Sequence, residues 1–377
     1  MKRYFENLDG IRFILAVVVF SGHSLLGHTL MEACPFDFFK RLIALFSDGG
    51  LAVSFFFTLS GYLITYLLLE EKEASGKLHL RDFYLRRVLR IWPLYYLVLL
   101  FSFFIYPWVK THLGYIDQNP FRFAYQALFL SNFDSIAVDA NGLTGVAPMM
   151  ISINWSIAIE EQFYLVWPLL FLVVRPKRFW MIAVLAIAVS FYYRHFVLSG
   201  PSMYYHTFAV MSDLGVGALF GYLSFQLPSF INGFTTLARY VIGGVYVCGG
   251  LLLLYHEVLA DIHLDPRIVF TCYFAFIITE QNFSRNSLFK ISHSFTLSAL
   301  GKYTYALYLL HPIGIQASIL IFRYLQMDPS RNFLNGILYA GVAFVCTMVL
   351  SYLSYYYFEA HFLNIRKRLR HGTVGQS

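Results

Sequence analysis

The segment from Leu8 to Leu30, LDGIRFILAVVVFSGHSLLGHTL, is apolar enough to form a membrane helix. It nevertheless carries Arg12 and His23, eleven residues apart. At 3.6 residues per turn, this spacing puts both side chains on one helix face, about 16 Å apart along the axis. Asp9, three residues before Arg12, lies near the same stripe. A charged side chain inside a membrane costs about 2.5–3.5 kcal/mol, so such residues normally face partners or a cavity. This helix is therefore a candidate wall of an active site.

The composition predicts an all-α polytopic membrane protein. Of the 377 residues, 58% are hydrophobic and 13% are charged, whereas a soluble domain carries about 25% charged residues. The stretch FRFAYQALFLSNF, from Phe121, is too short to span and predicts a re-entrant or interfacial helix. Windows of about 20 mainly apolar residues predict a bundle of about ten transmembrane helices, near residues 8–30, 49–69, 83–107, 152–174, 178–197, 204–225, 238–255, 266–282, 298–325 and 334–360.

No linker, charge block or internal repeat divides the chain, so we assign residues 1–365 to a single transmembrane domain. Residues 366–377 are predicted to form a basic cytoplasmic tail. With both termini cytoplasmic, most Lys and Arg residues fall in cytoplasmic segments, as the positive-inside rule requires. Topology thus explains the net charge of +7, and no nucleic-acid partner is expected. The acidic and basic residues before the first apolar run predict a retained helix rather than a signal peptide.

Three arginines, Arg86, Arg87 and Arg90, open the third predicted span in RDFYLRRVLRIWPLYY, from Arg81. Positive-inside topology and contact with lipid headgroups are one explanation. The other is an anion clamp, because the planar guanidinium fork matches a phosphate group. Pro93 would break the helix nearby and free backbone groups. A cytoplasmic phosphorylated ligand would fit the second explanation, and the residues alone leave both open.

Two carboxylates, Glu160 and Glu161, lie in the apolar span NWSIAIEEQFYLVWP, from Asn154. Adjacent residues on a helix point about 100° apart, so both cannot face one cavity equally. Structural pairing with an arginine is one interpretation. Functional use is the other, since intramembrane carboxylates mark functional sites by default.

Small and aromatic polar residues mark two further spans. In GGLAVSFFFTLSGYLIT, from Gly49, Ser60 and Gly61 favour close helix packing, and the sequence gives no support for Ser60 as a nucleophile. In YTYALYLLHP, from Tyr303, Tyr308 and His311 occur at helical spacing. The cysteines form no CxxC or Cys/His pattern, and the chain has no HExxH, GxSxG, Walker or GxGxxG motif, so no metal site is predicted.

Taken together, these segments resemble the acyltransferase-3 family of integral membrane acyltransferases, many of which O-acetylate sugars of bacterial surface polysaccharides. LDGIRFILAVVVFSGHS is similar to the family's first-helix pattern, in which ten residues separate an Arg or Lys from a His. GGLAVSFFFTLSGYLI resembles its second helix and FYLRRVLRIWPLYY its basic third-helix motif. NWSIAIEEQFYLVWP and YALYLLHP resemble its Trp-Ser…Glu…Phe-Tyr and late Tyr…His motifs. Five motifs in order cover most of the chain.

The resemblance implies an enzyme, an acyl-CoA-dependent O-acyltransferase of the inner cell membrane. It implies that an acyl group, commonly acetyl, passes from cytoplasmic acyl-CoA to a hydroxyl of a carbohydrate acceptor, such as a surface polysaccharide or glycolipid. Acyl-CoA would be a co-substrate, with no permanently bound cofactor. The implied catalytic residues are His23, Arg12 and Glu160, and Arg87 with Arg90 match the family's Arg-x-x-Arg pair.

The chemistry of the residues agrees with this expectation. An imidazole is the usual general base near neutral pH, so His23 is expected to deprotonate the acceptor hydroxyl. Arg12 is expected to anchor an anionic part of the donor, whose pantetheine arm would run along the helix to His23. The remaining candidates are predicted to bind the CoA phosphates (Arg86, Arg87 and Arg90) or to support the site (Asp9, Ser60, Tyr308 and His311).

Two other classes of protein are compatible with buried ionisable residues. A secondary transporter would use an Arg/His/Glu relay, but it would also carry inverted repeats with paired broken helices, which the sequence does not display. A non-catalytic membrane scaffold or sensor would not need a buried base aligned with cytoplasmic arginines.

Overall fold

The computed structural model describes residues 5–112, 114, 119–144, 149–261 and 264–365. All regular secondary structure in these residues is helical, which confirms the predicted class. The α-helices are α1 (Asn7–His23), α2 (Leu26–Ala33), α3 (Asp37–Leu45), α4 (Gly49–Ser75), α5 (Leu80–Leu100), α6 (Tyr106–His112), α7 (Phe123–Ala127), α8 (Ser131–Ala140), α9 (Met149–Ser152), α10 (Asn154–Val173), α11 (Trp180–Phe196), α12 (Ser202–Tyr205), α13 (Thr207–Gln226), α14 (Pro228–Thr236), α15 (Arg239–Leu254), α16 (Glu257–Asp261), α17 (Pro266–Phe283), α18 (Phe295–Leu300), α19 (Thr304–Tyr324) and α20 (Phe333–Leu353). Short π-helical turns at Phe101–Ile105 and Ser354–Glu359 extend α5 and α20.

Within the described ranges, seven helices are long and apolar enough to cross a membrane, or up to nine if each of two bent pairs is one span. The predicted count of about ten is therefore not confirmed. The predicted span 266–282 forms α17, but the 18 residues of this helix include Arg267, Glu280 and Gln281, which lower its hydropathy. The predicted spans 8–30 and 238–255 belong to the bent pairs α1–α2 and α14–α15, whose axes turn by 71° and 94°.

The first helix ends at His23 because Ser24 adopts an extended conformation. The Ser24 hydroxyl donates to the Ser21 carbonyl at 3.2 Å and accepts from the Leu26 amide at 3.4 Å, which supports the turn into α2. Gly22 allows the segment before α4 to approach this turn, since a Cβ at Gly22 would lie 2.3 Å from the Ser47 carbonyl oxygen. The bend thus puts His23 at a helix end beside the start of α4.

The central helix α4 packs tightly against α13 through glycines. A Cβ at Gly61 would lie 2.0 Å from the Leu214 carbonyl oxygen, and one at Gly217 would lie 1.9 Å from the Thr58 carbonyl oxygen. Only residues without a side chain permit such close approach of two backbones. The main apolar core joins these helices to α5, α10 and α19, with fully buried members that include Phe57, Leu94, Phe171, Leu214 and Leu309.

The segment from Phe121 forms two short helices, α7 and α8, of 5 and 10 residues, neither of which could span a bilayer. The Tyr95 hydroxyl of α5 donates to the Gln126 carbonyl at 2.7 Å and fixes α7 against the bundle. The Arg122 guanidinium donates to Asp134 at 2.7 Å, and this hydrogen bond raises the pKa of Arg122. The predicted basic tail, residues 366–377, lies outside the described residues.

Candidate functional site

A cavity of about 660 Å³ runs between α1, α4, α5, α10 and α19. Its wall on α4 extends from Val53 to Glu71, which corresponds to about 27 Å at the rise of an α-helix. Because α1 and α4 run in opposite directions, the beginning of α1 and the end of α4 meet at the same end of the cavity. The predicted site residues that line it are Arg12, Ser60, Arg86, Arg87, Arg90, Glu160 and Tyr308.

At one end of the cavity, two of its arginines pair with carboxylates. Arg12 donates to Asp9, one turn earlier on α1, at 2.8 Å. Asp9 itself is not among the described residues that line the cavity. Arg86 lies 3.5 Å from Glu71 on α4. These pairs neutralise part of the positive charge at this end.

The other two arginines of the third predicted span have no carboxylate within 4 Å among the residues that the structure describes. The Arg87 guanidinium lies over the ring of Tyr164, 4.8 Å from its centroid, which is a cation–π geometry. Arg90 lines the same wall one turn further along α5. Two guanidinium groups without a carboxylate at ion-pair distance are free to bind an anionic ligand in this part of the cavity. Both the clamp and the topology interpretations of these arginines remain open.

The middle of the cavity is acidic and hydroxylic. Glu160 accepts hydrogen bonds from the hydroxyls of Ser60, across on α4, and of Tyr164, one turn later on α10. The Tyr164 bond measures 2.6 Å, and the two hydroxyls lie 3.2 Å apart. The neighbouring carboxylate, Glu161, points away and accepts from the indole of Trp92 at 2.9 Å. The two carboxylates thus face different surroundings, as their 100° separation predicts.

The far end of the cavity closes at a pair of hydroxyls. The Tyr308 hydroxyl lies 2.5 Å from that of Ser156, and the ring of Phe56 packs edge-on against Tyr308. All three residues line the cavity. Ser156, Glu160 and Tyr164 follow one another at intervals of four on α10, so they form one polar stripe.

Two histidines meet just beyond this closed end. His311 Nε2 lies 3.1 Å from His23 Nδ1, and His311 Nδ1 lies 2.6 Å from the Tyr308 carbonyl oxygen. His311 is fully buried and His23 partly buried. The ring centroids are 5.0 Å apart, and the two ring planes are inclined by 26°. Neither histidine is among the described residues that line the cavity.

The gap between His23 and the cavity is about one helical turn. A Cβ at Gly49 would lie 3.9 Å from His23 Cε1, and the cavity begins at Val53, four residues further along α4. Four residues correspond to about 6 Å along a helix. The arginines and His23 therefore lie beside the two opposite ends of one cavity, in the order that the Arg12–His23 spacing predicts.

The sequence argument did not identify Tyr164, Ser156 or Glu71 as members of this site. Ser156 and Tyr164 lie four residues before and after Glu160, so the helical periodicity around Glu160 predicts that all three share one helix face. Glu71 had no comparable signal, because a glutamate near the end of a membrane helix is ordinary.

Comparison with known proteins identifies the family of this chain. A family model described as an acyltransferase domain matches residues 5–356. The chain belongs to the acyltransferase-3 family. This confirms the resemblance on which the predictions of a membrane acyltransferase rest.

Curated relatives of this family member are named O-acetyltransferases. The peptidoglycan O-acetyltransferase OatA of Listeria monocytogenes is 31% identical over 180 residues, which cover 46% of this chain and 25% of that protein. A putative O-acetyltransferase of Staphylococcus aureus is 26% identical over 329 residues, or 82% of this chain and 50% of that protein. The putative peptidoglycan O-acetyltransferase YrhL of Bacillus subtilis is 33% identical over 184 residues, or 46% of this chain and 24% of that protein. The matches thus cover at most half the length of these relatives, and no solved structure matches the chain.

Proposed function

We propose that this protein transfers an acyl group, in the first instance acetyl, from acyl-CoA to a hydroxyl of a carbohydrate, with His23 as the general base. One observation carries the proposal. A single cavity has at one end two arginines with no described carboxylate within 4 Å, and it stops about one helical turn from an imidazole at the other end. The family membership and the names of the relatives support the reaction class.

The arginine end suits the CoA part of the donor. Arg87 and Arg90 would bind its phosphates, because two guanidinium groups with no described carboxylate within 4 Å attract a multiply charged anion. Arg12, held by Asp9, and Arg86, beside Glu71, would complete the clamp. A wall about 27 Å long suits an extended donor that binds by its nucleotide and presents its thioester at the opposite end.

The histidine end suits the chemical step. The acceptor hydroxyl gives its proton to His23 as its oxygen attacks the thioester carbonyl, and the thiolate of CoA then leaves and takes up that proton. This end must open for the step, because Tyr308, Ser156 and Phe56 line the cavity there, whereas His23 is not among the described residues that line it. An acyl-His23 intermediate is the alternative route, and trapping of a radiolabelled acyl group on His23 would identify it.

In this proposal the acyl-CoA donor and the carbohydrate acceptor reach the site from opposite sides of the membrane. With both termini cytoplasmic, the arginine end faces the cytoplasm, where acyl-CoA is made, and His23 lies toward the outer surface of the cell membrane. The relatives' names suggest a cell-wall glycan as acceptor. Glycolipids and other surface polysaccharides have the same reactive group and belong in the same test.

The decisive experiment measures release of the CoA thiol from acetyl-CoA by purified protein, with a panel of peptidoglycan fragments, polysaccharides and glycolipids as acceptors. We expect turnover by the wild type, and a loss of about 10²–10⁴-fold in His23→Ala, with CoA binding retained. His28→Ala is the matched control, since His28 is a solvent-exposed histidine on the next helix. Equal turnover in His23→Ala would remove His23 as the base. Absence of CoA binding by the wild type would refute the proposal that acyl-CoA is the acyl donor.

A further inference from the structure

We infer that His311 is the positioning residue for His23, and that Pro312 enables this role by freeing the carbonyl that holds His311. The inference deepens the proposed function and rests on it, since it concerns the orientation of the proposed base. It follows from a chain of three groups: the Tyr308 carbonyl, the His311 ring and the His23 ring.

The first link depends on a proline. In an α-helix the carbonyl of residue i accepts from the amide of residue i+4. Tyr308 and Pro312 stand in this relation inside α19, and proline has no amide hydrogen. The Tyr308 carbonyl is therefore without its helical amide donor. His311 Nδ1 lies 2.6 Å from this oxygen and supplies the missing hydrogen bond.

The second link fixes the tautomers. At 2.6 Å from a carbonyl oxygen, His311 Nδ1 must carry the proton, because two lone pairs at that distance would repel. In a neutral imidazole Nε2 is then the acceptor, so the hydrogen bond of 3.1 Å runs from His23 Nδ1–H to His311 Nε2. This leaves the lone pair of His23 on Nε2, where it can take the proton of an acceptor hydroxyl.

The arrangement also supports the charged state formed during the reaction. When His23 accepts the proton, its Nδ1–H becomes a charged donor, and the bond to His311 strengthens. None of the described carboxylates lies within 4 Å of a nitrogen of either ring. A neutral acceptor anchored to the backbone does the orienting here, which avoids burying a carboxylate at membrane depth.

The test replaces each link separately. Pro312→Ala restores an amide donor that competes with His311 for the Tyr308 carbonyl. His311→Leu removes the side-chain acceptor for His23, whereas His311→Gln keeps an acceptor oxygen near the position of Nε2. Pro168→Ala is the matched control, because it also removes a proline from inside a helix, but no described side chain donates to the carbonyl that Pro168 frees.

We expect kcat to fall by about 10-fold or more in Pro312→Ala and His311→Leu, with the KM for acetyl-CoA unchanged, and to recover partly in His311→Gln. Pro168→Ala should keep the wild-type kcat. Wild-type kcat in Pro312→Ala, or equal loss in His311→Gln and His311→Leu, would overturn the inference.

A second readout does not require turnover. Diethyl pyrocarbonate modifies the free nitrogen of an imidazole, and mass spectrometry measures its rate at His23. We expect this rate to fall severalfold in Pro312→Ala and His311→Leu and to be largely kept in His311→Gln. If the wild type does not release CoA thiol, the proposed function fails, and the labelling rates still decide whether His311 positions His23. Unchanged labelling in both defective variants would contradict the inference.

Discussion

Helix α4 has two faces that use small residues for opposite purposes. On one face, Gly61 lets the backbone of α13 approach until a Cβ would lie 2.0 Å from the Leu214 carbonyl oxygen. On the other face, the adjacent Ser60 points into the cavity and donates to Glu160. The first face has no spare room, whereas the second encloses room for a ligand. Residues that look equally small in the sequence should therefore respond to substitution very differently.

The largest effect is expected at the packed face. Gly61→Val would force α4 and α13 apart, because even its Cβ overlaps backbone atoms that cannot rotate away. Overpacking of a core costs about 1–3 kcal/mol of stability and occasionally more. Because the contact at Gly61 is with rigid backbone, we expect Gly61→Val to lose stability at or above the upper end of this range. We expect loss of monodisperse protein on size-exclusion chromatography in detergent and a lower thermal transition.

The matched control for that substitution is Gly244→Val on α15. A Cβ at Gly244 would meet nothing within 4 Å, so the same change of residue adds no clash there. Equal damage from both substitutions would mean that glycine flexibility, and not the α4–α13 contact, determines the loss.

At the cavity face, the largest effect is expected at Arg87, and on binding rather than on folding. A hydrogen bond to a charged group contributes about 1.5–3 kcal/mol, so Arg87→Ala should raise the Kd for CoA by about 10- to 150-fold. Arg87→Lys keeps the charge but loses the planar fork, so its Kd for CoA should lie between those of the wild type and Arg87→Ala. Isothermal titration with CoA measures the effect, and Arg178→Ala, at an exposed arginine, is the control. If Arg87→Ala has the same affinity for CoA as the wild type, Arg87 serves membrane topology and does not bind the donor.

The contrast between the two faces also separates what the sequence could predict from what it could not. The apolar windows located most of the long helices, because each helix buries or exposes its own residues to lipid. The turn at Ser24 was missed, since no proline marks it and its support comes partly from Ser47 of a later segment. The sequence identified both His23 and His311. Their contact could not be predicted, because it joins residues 288 positions apart through the packing of α1 against α19.

A smaller effect is expected from the carboxylate in the middle of the cavity. Glu160→Ala leaves the hydroxyls of Ser60 and Tyr164 without their common acceptor. A buried polar group left unpaired costs about 1–3 kcal/mol, so the thermal transition should fall, though less than in Gly61→Val. Glu160→Gln retains one acceptor oxygen and should recover most of the loss. Equal stability of Glu160→Ala and the wild type would mean that these hydroxyls find other partners.

The smallest effect is expected from Ser60→Ala. Glu160 keeps its hydrogen bond from Tyr164 in this variant, so one hydrogen bond worth about 0.5–1.5 kcal/mol is lost and no buried charge is left without a partner. Thiol release from acetyl-CoA should stay within about 10-fold of the wild type, because Ser60 hydrogen-bonds to no described histidine and its hydroxyl donates to a carboxylate. Complete loss of turnover, together with a covalent acyl group on Ser60 by mass spectrometry, would make Ser60 a nucleophile. That outcome would also contradict the smallest expected effect at Ser60, since catalysis would then depend on the residue next to the packed Gly61.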